Sequence, residues 1–358
     1  MKKVCVYAIA KNESQFVDRW IESFKEADLI VVGDTGSEDD TVKKLKKHGV
    51  KVYKINVTPW RFDKARNEVL KKIPQDIDIC LSVDLDEVAI PGWKKYLEAA
   101  WNENTTRLKY NYNWSFDKYG NPAVSFLAEK AHSRQNYTWI HPVHEVLKYT
   151  GDGSEQTDYV EGFEVNHYPD PTKSRSNYLP LLEQSVEEDP EDDRNMHYLG
   201  REYMFNGRWN ECIDTLIKHL SLKSSLWKDE RCASMRYIAR CYTNLDRYDE
   251  ARMWLDKAII EAPYLREPYV ERALLEDSLN NYPLVIAYAE KALEIKQNSK
   301  TYISEPFSWN STLYDILSIA YFYTGNIEKS LENINIAIDM DPDNQRIKEN
   351  KIIIEKAP

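Results

Sequence analysis

The sequence predicts two domains of different class: an α/β domain on a mainly parallel sheet, then an all-helical repeat domain. Residues 1 to about 170 alternate strand-like and helix-like segments in the order βαβαβ, which calls for parallel strands and right-handed crossovers. From about Lys173 the hydrophobic period becomes helical and the pattern repeats. A chain of 358 residues also exceeds what one ordinary core accommodates. The expected division is 1–172 and 173–358.

The elements follow in order. Val4–Ala10 has a strand pattern, and Phe16–Glu26 places Phe16, Val17, Trp20, Ile21 and Phe24 at helical spacing. Leu29–Val32 reads as a short buried strand, Thr41–His48 as a helix and Lys51–Ile55 as a strand. A helix from about Asp63 to Lys72 precedes the apolar strand Ile77–Val83, and another helix follows Pro91 and reaches Trp101. From Thr105 to His167, aromatic and β-branched residues predict antiparallel strands added to the sheet, with turns at Tyr119-Gly120-Asn121-Pro122 and Gly151-Asp152-Gly153.

In the second half, Leu199-Gly200-Arg201-Glu202-Tyr203 with Gly207-Arg208-Trp209 is echoed by Ile238-Ala239-Arg240-Cys241-Tyr242 with Asp246-Arg247-Tyr248. Trp209 and Tyr248 stand 39 residues apart. A weaker copy holds Tyr282, and a clearer one runs Ile319-Ala320-Tyr321-Phe322-Tyr323 with Gly325-Asn326-Ile327, closing on Asp341-Pro342. Gly200, Ala239 and Ala320 let paired helices approach closely, and Lys348–Pro358 is expected to extend the last helix. The copies resemble tetratricopeptide repeats, whose ideal period is about 34 residues, with longer loops or degenerate copies behind the irregular offsets. Their aromatics are assigned mainly to packing, and the concave face of such a solenoid to a partner or acceptor.

Composition narrows the function. Hydrophobic residues are 42% and charged residues 30%, as in a soluble globular protein, and no apolar run reaches the roughly 20 residues that span a bilayer. The start Met1-Lys2-Lys3-Val4 runs into strand-like sequence and is too short for a signal peptide. Cys5, Cys80, Cys212, Cys232 and Cys241 are odd in number and lack zinc-ligand spacing, so they are expected as reduced thiols of a cytoplasmic protein. A net charge of −11 argues against broad electrostatic binding of nucleic acid.

The chemistry is expected at Asp84-Leu85-Asp86-Glu87. Carboxylates at the carboxyl end of a buried strand sit where open α/β sheets bind ligands. In extended backbone Asp84 and Asp86 project to one side, and paired anionic oxygens suit a hard divalent cation that can hold a diphosphate. The loops Ala8–Glu13 and Asp34–Thr41 fall on the same sheet edge. Ser37 or Asp39 can cap the following helix, Ser37 with Asp40 makes a weak capping box, and Asp34 is placed to accept a hydrogen bond from a nucleobase. Trp139-Ile140-His141-Pro142-Val143-His144-Glu145 sets an imidazole beside a carboxylate. Glu145 is the candidate general base, Asp117 and His144 are fallbacks, and a plain structural turn is the alternative. His167, in Asn166-His167-Tyr168-Pro169, is read either as a ligand or as a buried hydrogen-bonding residue. Lys173 and Arg175 are read either as a diphosphate clamp or as a solvated helix start. Lys43-Lys44-Leu45-Lys46-Lys47 fits the exposed face of a helix.

Four pieces in this order, Ala10-Lys11-Asn12-Glu13, Asp34-Thr35-Gly36-Ser37-x-Asp39-x-Thr41, Ala65-Arg66-Asn67 and Asp84-x-Asp86-Glu87, resemble the nucleotide-binding half of inverting family 2 glycosyltransferases of the GT-A fold. The repeat tail narrows the resemblance to members carrying tetratricopeptide-like repeats, a group that includes the peptide S-glycosyltransferases of the sublancin type. The resemblance implies that Ala8, Ala10 and Glu13 lie along the nucleoside and that Asp34 binds the base, typically uracil. It also implies that Arg66 meets the diphosphate or donor sugar, that Asp84 touches the ribose or sugar, and that Asp86 binds the metal. His167 resembles the third metal ligand of many GT-A enzymes, and with carboxylates it suits Mn²⁺, with Mg²⁺ as the alternative.

The reaction expected is displacement at the anomeric carbon of a nucleotide sugar, UDP-linked by resemblance. The acceptor is left open among peptide or protein, glycan and modified nucleobase, with peptide or protein slightly favoured, and the repeats are equally able to build a homodimer. A non-catalytic repeat adaptor with a decayed nucleotide-binding domain is the alternative. A nucleotidyl transferase fits poorly, because Ala8–Glu13 contains no glycine.

Overall fold

The computed structural model describes residues 2–171, 178–299 and 301–356. The chain forms two compact units, 1–185 and 186–358, and the division falls within α5 (Tyr178–Glu188). The fold is a GT-A-like α/β domain followed by an all-α repeat region.

In the first unit β1 (Val4–Ala10), α1 (Val17–Phe24), β2 (Leu29–Asp34), α2 (Thr41–Lys47), β3 (Lys51–Lys54), α3 (Phe62–Leu70) and β4 (Ile79–Ser82) alternate as the periods predict. They give four parallel strands in the order β3-β2-β1-β4. Next come β5 (Glu87–Ala89), α4 (Trp93–Ala100), β6 (Arg107–Phe116), β7 (Pro122–Ser133), β8 (Tyr137–Ile140), β9 (Val146–Tyr149) and β10 (Thr157–His167). The full sheet has eight strands, ordered β3-β2-β1-β4-β7-β6-β10-β5.

Two details differ from the expectation of added antiparallel strands. β10 runs parallel to β6, with a register shift between Tyr159 and Glu164, and β8 and β9 form their own antiparallel pair. Alternation along β1 turns Val4, Val6 and Ala8 toward Trp20, Phe24 and Trp93, and turns Cys5 and Tyr7 toward Ala65, Val69 and Trp139. Both faces are buried, which is why β1 reads as an unbroken apolar run.

Gly33 sets the seat of α3. A Cβ there would lie 2.2 Å from Val69 Cγ2 and 2.8 Å from Ile55 Cγ1, so the bare backbone lets the helix lie close on β2. The acidic segment after β4 is a turn, not extended chain. Glu87 N–H donates to the Asp84 carbonyl at 3.0 Å, and Asp84 N–H donates to Glu87 Oε2 at 3.0 Å. The period-two argument for Asp84 and Asp86 therefore does not apply, because it holds only in a strand.

The second unit contains α6 (Asp193–Phe205), α7 (Trp209–Ser221), α8 (Lys228–Asn244), α9 (Tyr248–Glu261), α10 (Glu267–Ser278), α11 (Tyr282–Glu294), α12 (Thr312–Tyr323), α13 (Ile327–Met340) and α14 (Gln345–Glu355). Consecutive helices pack in pairs. Gly200 meets Leu216 so closely that a Cβ would lie 2.3 Å from its Cδ2, and Ala239 and Ala320 are buried in the same kind of seam. The uneven offsets come from the 17-residue α8 and from the long connection between α11 and α12, which holds a 3₁₀ turn at Pro306–Ser308. The tail does not continue α13. That helix ends at Met340, and α14 starts anew with Asn344 Oδ1 accepting from Ile347 N–H. The five cysteines are free and buried. Among the described residues no helix is long and apolar enough to cross a membrane.

Candidate active site

Arg66, on α3 beneath the tight seat at Gly33, organises one half of the site. Its Nη2 donates to Asp84 at 2.9 and 3.2 Å, Nη1 to Ser82 Oγ at 3.2 Å, and Nε to Glu145 Oε1 at 2.5 Å. The guanidinium also lies 5.1 Å over the Trp139 ring. Burial works against its charge, but the two carboxylates outweigh burial and raise its pKa. Burial likewise opposes ionisation of Asp84, yet Arg66 and then Lys130 hold its carboxyl well below the usual range. Among the described residues Glu145 Oε2 has no hydrogen-bond partner, so Glu145 is fixed through one oxygen and open at the other. The neighbouring Asn67 donates to the Trp139 carbonyl at 2.8 Å and accepts from Trp139 N–H at 2.9 Å, which pins β8 to α3. Ala65, Arg66 and Asn67 thus pack the helix, tie the carboxylates and dock the hairpin.

Asp86 has a different partner. Its Oδ2 lies 3.4 Å from His167 Nε2, at the end of β10, where His167 pairs with Glu87. His167 Nδ1 donates to the Trp114 carbonyl at 3.0 Å, and the Trp114 ring stacks on the imidazole at 4.4 Å. That carbonyl fixes the tautomer and leaves Nε2 for a ligand role. Two ligands about 2.1 Å from one ion stand roughly 3.0–3.4 Å apart, so the donor set fits a divalent cation with room for diphosphate oxygens. Burial works against a charged His167, but Asp86 raises its pKa.

Beneath this pair lies Glu87, fully buried, its pKa raised by burial and countered by Lys130. Glu87 accepts from Lys130 Nζ at 3.0 Å and from Tyr112 O–H at 2.8 Å. Lys130 also stands 3.8 Å from Asp84. Sequence reading missed Lys130, because one lysine in an antiparallel strand looks like any solvent-facing lysine.

The two amino-proximal loops form a linked rim. Asn12 Oδ1 accepts from Glu38 N–H at 2.8 Å, and Ser37 Oγ accepts from Asn12 N–H at 3.0 Å. Asp39 accepts from Thr41 N–H at 2.9 Å and Ser14 N–H at 3.1 Å, and these bonds overcome partial burial to lower its pKa to about 2. The expected capping box is absent, since Ser37 bonds across to Asn12. Asp34 accepts from Ser37 N–H at 3.0 Å and Gly36 N–H at 3.3 Å, so its own turn supplies a local use. Ala8 and Ala10 are buried on β1, and Glu13 N–H donates to Thr41 Oγ1 at 2.7 Å.

The remaining candidates fall into three places. Asp117 holds the β6–β7 hairpin turn, accepting from Tyr119 and Asn121 N–H at 2.8 Å each, and these bonds lower its pKa. His144 has a left-handed backbone (φ 51°) and meets the Tyr178 ring edge-on at 5.6 Å. Lys173 and Arg175 lie outside the described residues. Arg66, Asp84 and Glu145 come together, as do Asp86 and His167. No contact joins Asp117 to either group among the described residues.

Comparison with known proteins agrees with this architecture. Residues 5–146 match the family model of glycosyl transferase family 2, and residues 238–262 match that of the tetratricopeptide repeat. Solved structures similar to the chain are repeat proteins. The crystal structure of MamA is 18% identical, covering 50% of this chain and 91% of that one at a TM-score of 0.38. A thermophilic repeat protein of Thermus thermophilus is 16% identical, covering 50% and 89% at 0.36. PilF of Pseudomonas aeruginosa is 10% identical, covering 49% and 72% at 0.40. Likenesses of this size say nothing about activity or partners. The N-terminal part of the chain is thus similar to glycosyl transferase family 2, and a segment of the helical region behind it is similar to the tetratricopeptide repeat.

Proposed function

We propose that the N-terminal domain is a metal-dependent, inverting transferase that moves a sugar from a UDP-linked donor to a peptide or protein acceptor. The observation that carries the reading is the Asp86–His167 pair beside the Arg66-held Asp84, within a family 2 domain. A bound Mn²⁺ or Mg²⁺ supplies charge neutralisation for the departing nucleoside diphosphate. Asp86 and His167 are the residues to hold it. Asp84, fixed by Arg66, orients the ribose or sugar. Lys130 keeps the buried Glu87 charge-paired under the turn.

On the opposite face of the sugar the acceptor nucleophile bonds to the anomeric carbon. The carbon–oxygen bond to the diphosphate breaks with its electron pair, and the acceptor proton passes to Glu145 Oε2. Glu145 suits this role because Arg66 orients it through the other oxygen alone. A peptide acceptor is favoured by the repeats, which in general hold extended or helical segments.

Titration calorimetry with UDP tests the reading. Binding that requires Mn²⁺ and is lost in Asp86→Ala supports it. Absence of UDP binding at saturating metal would favour the rival of a repeat adaptor with a decayed domain. A mass-shift screen of candidate peptides against UDP-sugars then identifies the acceptor.

A further inference from the structure

We propose that the first helical repeats hold a second metal site, structural in kind and suited to Zn²⁺, on His197, His219 and Glu230. The three residues come from three successive helices, α6, α7 and α8. One ring nitrogen of each histidine and one carboxylate oxygen lie within 4.8 Å of one another, and all three residues are buried. Two imidazoles and a carboxylate are a donor set known for zinc, in which a water completes the tetrahedron as fourth ligand.

Ser234 decides which nitrogens are available. Its Oγ lies 2.8 Å from His197 Nδ1 and 3.0 Å from His219 Nδ1, so both Nδ1 atoms are taken and a cation would have to use the Nε2 atoms. His219 Nε2 lies 3.3 Å from Glu230 Oε1 and 3.1 Å from Ser225 Oγ. His197 Nε2 is fully buried with no hydrogen-bond partner among the described residues. A sealed nitrogen without a partner is costly, and a cation removes that cost by taking its lone pair.

Proton counting agrees. Without metal, His219 Nε2–H donates to Glu230, so its Nδ1 must accept from the Ser234 hydroxyl. Ser234 then accepts from His197 Nδ1–H, which leaves His197 Nε2 as a bare lone pair. With metal, the His219 proton moves from Nε2 to Nδ1, and both Nδ1–H groups donate to Ser234, whose oxygen has two acceptor sites, with no net release of a proton. One hydroxyl then orients both imidazoles, as outer partners of metal-bound histidines do.

The distances are near those required. Ligands about 2.05 Å from a tetrahedral zinc stand about 3.3 Å apart. The His219–Glu230 edge already has this length, and the three donor atoms lie within 4.8 Å of one another. Arg194 and Arg201, both stacked on the Tyr198 ring, are positive charges acting on His197. The attraction for a cation therefore rests on the three ligand bonds and not on a strongly negative field. A sealed site of this kind clamps α6, α7 and α8 together and takes no part in sugar transfer.

The test is a Co²⁺ titration of the full-length, metal-stripped chain. We expect one equivalent to give the visible absorption of tetrahedral Co²⁺, undiminished in Asp86→Ala and lost in His197→Gln. Zn²⁺ should displace the Co²⁺ and raise Tm by about 5 °C. Glu230→Gln repeats the test where His197→Gln does not fold. Absence of tetrahedral absorption in the wild type overturns the proposal, whatever the variants do. So does an equal signal in a folded variant of either ligand, or its loss in Asp86→Ala, which assigns it to the sheet-edge pair.

Discussion

At the edge of the N-terminal sheet His167 meets Asp86, whose side chain is still 22% exposed, while in the helical unit His197, His219 and Glu230 are closed off among three helices. Both places set imidazole against carboxylate, and in both an outer hydrogen bond fixes the ring: the Trp114 carbonyl in one, Ser234 in the other. What differs is access. The sheet-edge pair sits on a turn with Arg66 and Lys130 close by to balance negative charge. The helical set is buried on three successive helices, the place for a ligand that would tie secondary structure together. On the two proposals, similar donor atoms serve an exchangeable ligand where the backbone turns outward, and a fixed clamp where helices converge.

Substitutions separate these uses. Asp86→Ala has the largest expected effect, lowering transfer by about 10³-fold. Its Tm should stay within about 2 °C of wild type, because a partly exposed turn carboxylate adds little to the core. UDP release and thermal unfolding check the two halves of that statement. Arg66→Ala leaves Asp84 and Glu145 without their shared cation, and denaturant unfolding should show a loss of about 3 kcal/mol. Glu145→Gln keeps an oxygen for Arg66 and removes the base. It should lower kcat by about 10²-fold while the Kd for UDP holds. Unchanged kcat with weakened UDP binding would make Glu145 only an anchor for Arg66.

Two smaller effects compare the cores. His132 lies fully buried between β1 and β8, with Nδ1 donating to the Ser133 carbonyl and Nε2 accepting from Tyr7 O–H. Burial, with Arg107 and Arg134 adding to it, lowers its pKa from 6.5 to about 3. The unfolded chain thus takes up the proton first. The contribution is fully present above pH 6.5 and is lost as pH falls toward 3, at a slope near 1.4 kcal/mol per pH unit. Unfolding of the N-terminal domain at about pH 7, 6 and 5 should show this slope, and His132→Gln should flatten it. In the helical unit, Gly200→Ala gains about 1 kcal/mol of helix propensity but forces Leu216 aside at a cost of about 1–3 kcal/mol. A net loss of about 1 kcal/mol by chemical unfolding is expected.

Much of this was legible in the sequence where local pattern decides structure. Val4–Ala10 is a strand from end to end because both of its faces are buried, and the small residues at Gly200, Ala239 and Ala320 mark true helix seams. Reading was incomplete at tight turns and at long-range contacts. Glu87 closes a turn on Asp84 with both its amide and its carboxylate, so the acidic segment is not extended. Asp34 accepts from the amides of its own loop, a use that the motif alone did not indicate. Lys130 and the His197, His219 and Glu230 set carry no spacing signal, since their partners arrive from strands and helices distant in sequence. The Arg66–Glu145 contact, across 79 residues, joins two motifs that the sequence offered separately.

The most direct test of the central claim is a crystal of the full chain grown with UDP and Mn²⁺, read by anomalous scattering from manganese. The account predicts a peak within bonding distance of Asp86 and His167, with the diphosphate on its open side. Manganese and UDP found together away from the turn after β4 would contradict it.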